Sequence, residues 1–378
     1  LSLILLSLPL SIVAAEFFGI CFVIVYFVNA RFNGISPSAL NILVVVIIVV
    51  NYASLILTKS TCHAASIASQ SLYLIFIPLA SSLMWDEHKY LKLLRYYIYG
   101  QTANACVGLV EASGVHVINT FGQGHLGLVN FHIWSSMMLA LALLILTFDY
   151  IQRKVIQSLI YRSAIFLLLL WQLVTTTGRT GQAVYIICVF MIFAWSPKKV
   201  RTVLYLSFMP IMLSVFFLSR TLRGIWLSAY GQVSELLHHG SAVTSVGLRV
   251  LYAKASWDML KSHPLFGVGI GNFRSCFYNL VSDGMLPYVP HSLSGVIGPT
   301  NSYLLYSSEF GLIGLVSLLA FLILVFIKAE KSSSVMYKRI SLLIFAWMII
   351  GSFSDVIIST WCLIIPFAIL IAADPGNA

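Results

Sequence analysis

One feature constrains the fold before any other: apolar runs of span length recur from one end of the chain to the other. They fall at roughly 10–30, 38–58, 66–84, 92–112, 128–147, 158–176, 181–196, 201–219, 302–327, 340–357 and 360–373. A helix needs about 20 apolar residues to cross a hydrocarbon core, and within lipid its backbone polar groups must pair internally. The pattern predicts an all-α, polytopic membrane helix bundle of about 11 transmembrane helices, or 12 if residues 1–9 finish another span. Charged residues are 9% of the 378, against roughly 25% in soluble domains. One integral membrane domain over 1–378 is the simplest division. Leu1–Ala15 is apolar but lacks a basic n-region, so it reads as part of a span rather than a signal peptide. The chain begins with Leu rather than Met, and residues ahead of it are expected to be missing.

The positive charges set the orientation. Alternate connections hold Arg31; Lys89, Lys92 and Arg95; Arg153, Lys154 and Arg162; Lys198, Lys199 and Arg201; then Lys328, Lys331, Lys338 and Arg339. The short connections of the opposite set hold only Lys59 and Arg179. By the positive-inside rule the first set faces the cytoplasm. That bias also explains most of the +10 net charge, without a nucleic-acid partner. Arg95 and Arg162, near helix ends, are expected to snorkel to the interface. The cysteines are scattered, with no CxxC and no nearby His at zinc spacing, so neither a metal site nor a disulfide framework is expected.

The longest connection, 219–301, then lies outside, in the periplasm or cell exterior. It holds Arg220, Arg223, Arg249, Lys254, Lys261 and Arg274, four histidines (His238, His239, His263, His291) and the run HPLFGVGIGNF at 263–273. Its aromatic content (Trp226, Trp257, Phe266, Phe273, Phe277, Tyr278) predicts a folded, partly helical element. Loops of this length are usually functional when folded.

Candidate chemistry gathers at the outer edge. Arg179, in TTTGRTGQ, stands among hydroxyls and bare backbone on the outward side. A guanidinium fork there suits a phosphate, held bidentately; the competing reading is an arginine snorkelling to ordinary lipid headgroups. Arg220 and Arg223, three residues apart, share a face if the helix continues. With Arg179 and Arg249 they are expected to form a cationic pocket for a lipid-linked pyrophosphate. The histidines are candidate bases near neutral pH, His291 being nearest the next motif. His116, His125 and His132, with Glu111, form a weaker cluster. The glycines of GVGIGNF lack the strand–helix context of a dinucleotide site and read as a close-packed turn.

SVGLRVLYAKASWDMLKSHPLFGVGIGNF at 245–273, followed by PTNSYLLYSSEFGLIGL at 299–315, resembles the O-antigen ligase/polymerase superfamily. Arg249, Trp257, Pro264, Gly267, Gly269 and Phe273 fit its first motif, and Asn301, Gly311 and Gly314 its second. The TGRTG stretch resembles its arginine-bearing helix boundary, and the similarity covers roughly 170–327. Thr300 occupies the position where that second motif carries His. The resemblance implies a membrane glycosyltransferase, tilted by Thr300 toward a Wzy-type polymerase of O-antigen or exopolysaccharide repeat units. It implies undecaprenyl-pyrophosphate-linked oligosaccharides as substrates, in the bacterial inner membrane. It further implies a chain-length regulator as partner, and no metal or nucleotide cofactor. Arg179, Arg220, Arg223, Arg249 and Asn301 would bind substrate, with His291, Glu309 or Asp283 as the base.

Two other readings compete. An O-antigen ligase would pass the glycan to lipid A-core instead. A lipid or solute transporter would place polar groups at mid-membrane, where the predicted spans have few beyond Glu16 and Glu111.

Overall fold

The computed structural model describes residues 1–29, 38–57, 62–115, 127–128, 131–239, 244–289 and 298–377. Among these the regular elements are helices. They run α1 Ser2–Ser7, α2 Ile12–Asn29, α3 Ala39–Leu57, α4 Cys62–Ser71, α5 Phe76–Ser81, α6 Glu87–Ala112, α7 His132–Gln152 and α8 Leu159–Thr175. Then follow α9 Arg179–Ala194, α10 Lys198–Leu218, α11 Arg220–His239, α12 Ser245–Ser262, α13 Phe273–Ser282, α14 Ser302–Lys331, α15 Val335–Ser352 and α16 Trp361–Ala372. Four stretches are long and apolar enough to cross a membrane: in α7, α10, α14 and α15. Six shorter apolar stretches accompany them, in α2, α3, the 67–81 region, α8, α9 and α16.

Short polar residues begin several helices by capping their free N–H groups. Asp86 accepts from Lys89 N at 2.7 Å to open α6, and Asn301 accepts from Tyr303 N at 2.8 Å to open α14. The apolar run at 66–84 is three pieces rather than one span: α4, a 3₁₀ turn at Leu72–Ile75 and α5. Pro78, which has no N–H to donate back, stands just beyond that tightened turn.

α7 and α16 form the centre. Every residue from Ser135 to Leu146, and from Cys362 to Ala372, is buried. At twelve residues α16 is about 18 Å long, well short of a hydrocarbon core of about 30 Å. By contrast α10 exposes Val203, Leu206, Leu213, Phe217 and Leu218, an apolar surface suited to lipid.

At one end of the bundle the basic residues are tied down. Arg162 does not snorkel. It is 1% exposed, and its Nη1 donates to Asp149 O at 2.7 Å and lies 3.4 Å from Asp149 Oδ2. Asp149 also accepts from the backbone N–H groups of Lys154, Val155 and Ile156, which follow the left-handed Arg153. Arg95 likewise turns inward, donating to the carbonyls of Val155 at 2.6 Å and Lys154 at 3.1 Å. Carbonyls at the end of α7 and in the turn after it give both arginines a protein partner in place of a lipid one.

In its described parts the 219–301 connection is folded, as its aromatic residues predict. Leu248, Leu251, Tyr252, Ala255 and Met259 of α12 close over Phe273 and Phe277 of α13, with Leu286 and Val289 completing a small separate core. The Tyr252 ring centroid lies 5.7 Å from Phe277 and 6.1 Å from Phe273 in edge contacts.

Candidate active site

The expected span at 302–327 forms, with a break. Gly311 (φ 65°, ψ −156°) interrupts α14 and frees the backbone groups around it. The glycine-rich turn that follows α12 takes them up. Leu312 N donates to Pro264 O at 2.8 Å and Ile313 N to Leu265 O at 3.3 Å, while Val268 N donates to Ser308 O at 2.9 Å and Gly269 N to Glu309 O at 3.0 Å. Glu309, 1% exposed, completes the join: its carboxylate accepts from Gly271 N at 2.9 Å and Phe273 N at 3.4 Å. Both its oxygens serve the turn, so the geometry gives Glu309 a holding position and no open face toward a substrate hydroxyl. The separate core of α12 and α13 is thereby fixed to a membrane helix.

That attachment fixes α12, which carries Arg249. Arg249 lies within electrostatic reach of Arg179, the first residue of α9, and of Asp355, which follows α15. Arg179 and Arg249 are both partly buried. Asp355 accepts from Trp134 Nε1 at 3.1 Å through Oδ2 and from Val356 N at 2.8 Å through Oδ1. Burial raises its pKa above the ordinary carboxylate range, opposed by those two donors and by the charge of Arg249. Neighbouring contacts knit the same end of the bundle together. Ser354 Oγ donates to Thr180 Oγ1 at 3.0 Å, Ser302 Oγ to Asp355 O at 3.2 Å, and Asn301 Nδ2 to Phe353 O at 3.0 Å. Arg249 feels both the Arg179 guanidinium and the half-buried Asp355 carboxylate, so positive charge is in excess here and an anion would neutralise it.

The other expected site residues fall differently. The hydroxyls around Arg179 are engaged: Thr175 and Thr176 donate back to Gln172 O, and Thr180 pairs with Ser354. Gly178 and Gly181 let α9 start directly against Ser136 of α7, where a Cβ would collide. The small residues thus seat the arginine rather than line a pocket. Arg223 turns back to Phe217 O at 3.2 Å, at the end of α10, and Arg220 is exposed at the start of α11. Neither is tied to the Arg179–Arg249 pair, so only two of the four expected arginines converge. Asn301 spends both ends of its amide within the protein, capping α14 and holding the chain after α15. Asp283 caps the end of α13, distant in role from the arginine pair. His291, His116 and His125 lie outside the described residues, while Glu111 accepts from Gly127 N at 2.6 Å.

Asp355 and Trp134 are the members of this cluster that the sequence reading passes over. The available signal was a lone acid in GSFSDV, between two apolar runs at the end where α9 begins.

Residues 164–319 match the family model described as O-antigen ligase. Over that stretch, less than half of its length, the chain is similar to that family. The matched stretch runs from α8 to mid-α14, so it contains Arg179, Arg249, the glycine-rich turn and its docking break, and stops before Asp355. No curated protein matches the chain. That likeness, with the apolar helices, supports a membrane protein.

Proposed function

We propose that this chain joins lipid-linked oligosaccharide repeat units at the outer face of the bacterial inner membrane, as a polymerase. One observation supports the reading: Arg179 and Arg249, from elements about 70 residues apart in sequence, lie within electrostatic reach of each other at one end of the bundle. The excess positive charge there suits a pyrophosphate whose isoprenoid tail stays in the bilayer.

In the reaction, a sugar hydroxyl of the incoming unit attacks the anomeric carbon of the growing glycan. The new C–O bond forms as the bond from that carbon to the pyrophosphate breaks, and the pyrophosphate leaves with the electron pair. Arg179 and Arg249 stabilise the charge that develops on it, a contribution that is often the largest in such transfers. Asp355, anchored by Trp134, lies within electrostatic reach of Arg249 and offsets part of its charge. The hydroxyl proton passes to a base, for which His291 is the candidate. Holding acceptor and donor in line is a further large share of the rate.

The ligase reading rests on the description of the matched family. Thr300, at the position where the resemblance expects His, favours the polymerase. Surface glycan from a strain deleted for this gene separates the two. A polymerase leaves core capped with a single unit, and wild type restores the ladder while R179A and R249A do not. A ligase leaves uncapped core and accumulates lipid-linked polymer. Normal glycan in the deletion strain would remove both enzyme readings.

A further inference from the structure

At the end of the bundle away from Arg179, a cavity of about 300 Å³ opens between the start of α3, the end of α14 and the end of α16. Lys328 and Lys331 line it, with Asp374 as the acidic group facing them. The Asp374 carboxylate is already engaged: Oδ1 accepts from Ser332 Oγ at 2.6 Å and from Gly376 N at 2.8 Å. Lys328 is half-buried; among the described residues its ammonium makes one long hydrogen bond, to Ala372 O at 3.4 Å, and feels the charge of Asp374. An ammonium has three protons to place, and a sheltered one with so few acceptors is costly.

The rest of the lining is mixed: apolar Leu40, Trp85 and Leu324 stand beside the polar Ser38, Asn41 and Ser81. Leu83 and Ile327, 37% and 38% exposed, form its edge, so the mouth opens sideways onto the surface that lipid covers. An amphiphile suits both the lysines and that edge: two point charges for a phosphate and a greasy edge for acyl chains. Basic pockets between membrane helices on the side that gathers Lys and Arg are a recognised place for acidic headgroups.

We infer that this cavity binds the phosphodiester headgroup of an anionic membrane lipid, with Lys328 and Lys331 on the phosphate and the chains leaving past Leu83 and Ile327. The inference is independent of the glycan transfer.

The test uses the full-length chain, delipidated in mild detergent, and reads its melting temperature with added phosphatidylglycerol, phosphatidylcholine or inorganic phosphate. Phosphatidylglycerol should raise the melting temperature above the phosphatidylcholine value, and inorganic phosphate should not. The K328Q/K331Q variant should lose that difference. K198Q/K199Q, which removes the same charge from exposed positions at the start of α10, should keep it. Should the double variant fail to fold, K331Q alone, at an exposed position, should reduce the difference. A difference that survives the Lys328 and Lys331 changes, is lost equally in K198Q/K199Q, or is reproduced by inorganic phosphate would overturn the inference.

Discussion

Gly267 and Gly311 meet backbone to backbone: a Cβ built on either would stand 2.6 Å from the other's amide nitrogen. Both have positive φ, 66° and 65°. This contact is where the 219–301 connection locks into the break of α14, and through it the position of Arg249 is set relative to the membrane helices.

Alanine at either glycine should therefore cost stability and glycan assembly together. Strained backbone costs about 1–3 kcal/mol at one residue, and the clash with main chain adds to it. Gly284 is the internal comparison. Its φ is also positive, at 73°, but a Cβ there meets nothing within 4 Å. Melting curves should order the variants as wild type, G284A, then G267A and G311A.

Glu309 separates holding from chemistry. Removing its carboxylate leaves two buried N–H groups, of Gly271 and Phe273, without an acceptor. Each such orphan costs about 1–3 kcal/mol. E309A should melt markedly lower than wild type, and E309Q, which keeps one acceptor, should fall between them. A fully stable but inactive E309Q would instead mark Glu309 as the base.

Much of this architecture is legible in the sequence. The apolar runs fall on helices, because lipid permits a long apolar stretch few alternatives to helix, although among the described residues only four are long and apolar enough to cross a membrane. The aromatic residues of 245–289 announce a folded element, since Phe273 and Phe277 have no other way to leave water. What the sequence hides is pairing across distance. Gly311 reads as an ordinary helix residue until the turn at 264–269 is seen to occupy its broken hydrogen bonds. Asp355 carries no local motif, and its meaning comes from Trp134 and Arg249, each more than 100 residues away. For the same reason Arg223 resembles Arg179 on paper, whereas a carbonyl at the end of α10 claims it.

Phe277 tests the independence of the small outer core. It is fully buried between Tyr252 and Phe273. F277A should lose about 3–5 kcal/mol by transfer and cavity terms. Proteolysis within 244–289, probed against digestion of the membrane helices, should show the loss confined to this element.

Cys276 provides a pH signature of the docked state. Burial, and then the nearby charge of Glu309, push its thiol above the ordinary value. A thiolate-directed reagent should react with it more slowly than with a free cysteine at pH 8, and faster as pH climbs. The linked stability is fully present below the ordinary thiol range, near pH 8.5, and is lost as pH rises through the higher folded value. In E309A the Cys276 reaction should speed up at fixed pH.

The central claim is that Arg179 and Arg249 act on one anion. Its most direct test is binding of a polyprenyl-pyrophosphate-linked repeat unit to the purified protein in nanodiscs, with R179A, R249A and R220A alongside. A charge-assisted hydrogen bond contributes about 1.5–3 kcal/mol, roughly tenfold to a hundredfold in Kd. R179A and R249A should each weaken binding by that order, while R220A, exposed and apart from the pair, should stay near wild type. Unchanged affinity in R179A and R249A would contradict the account.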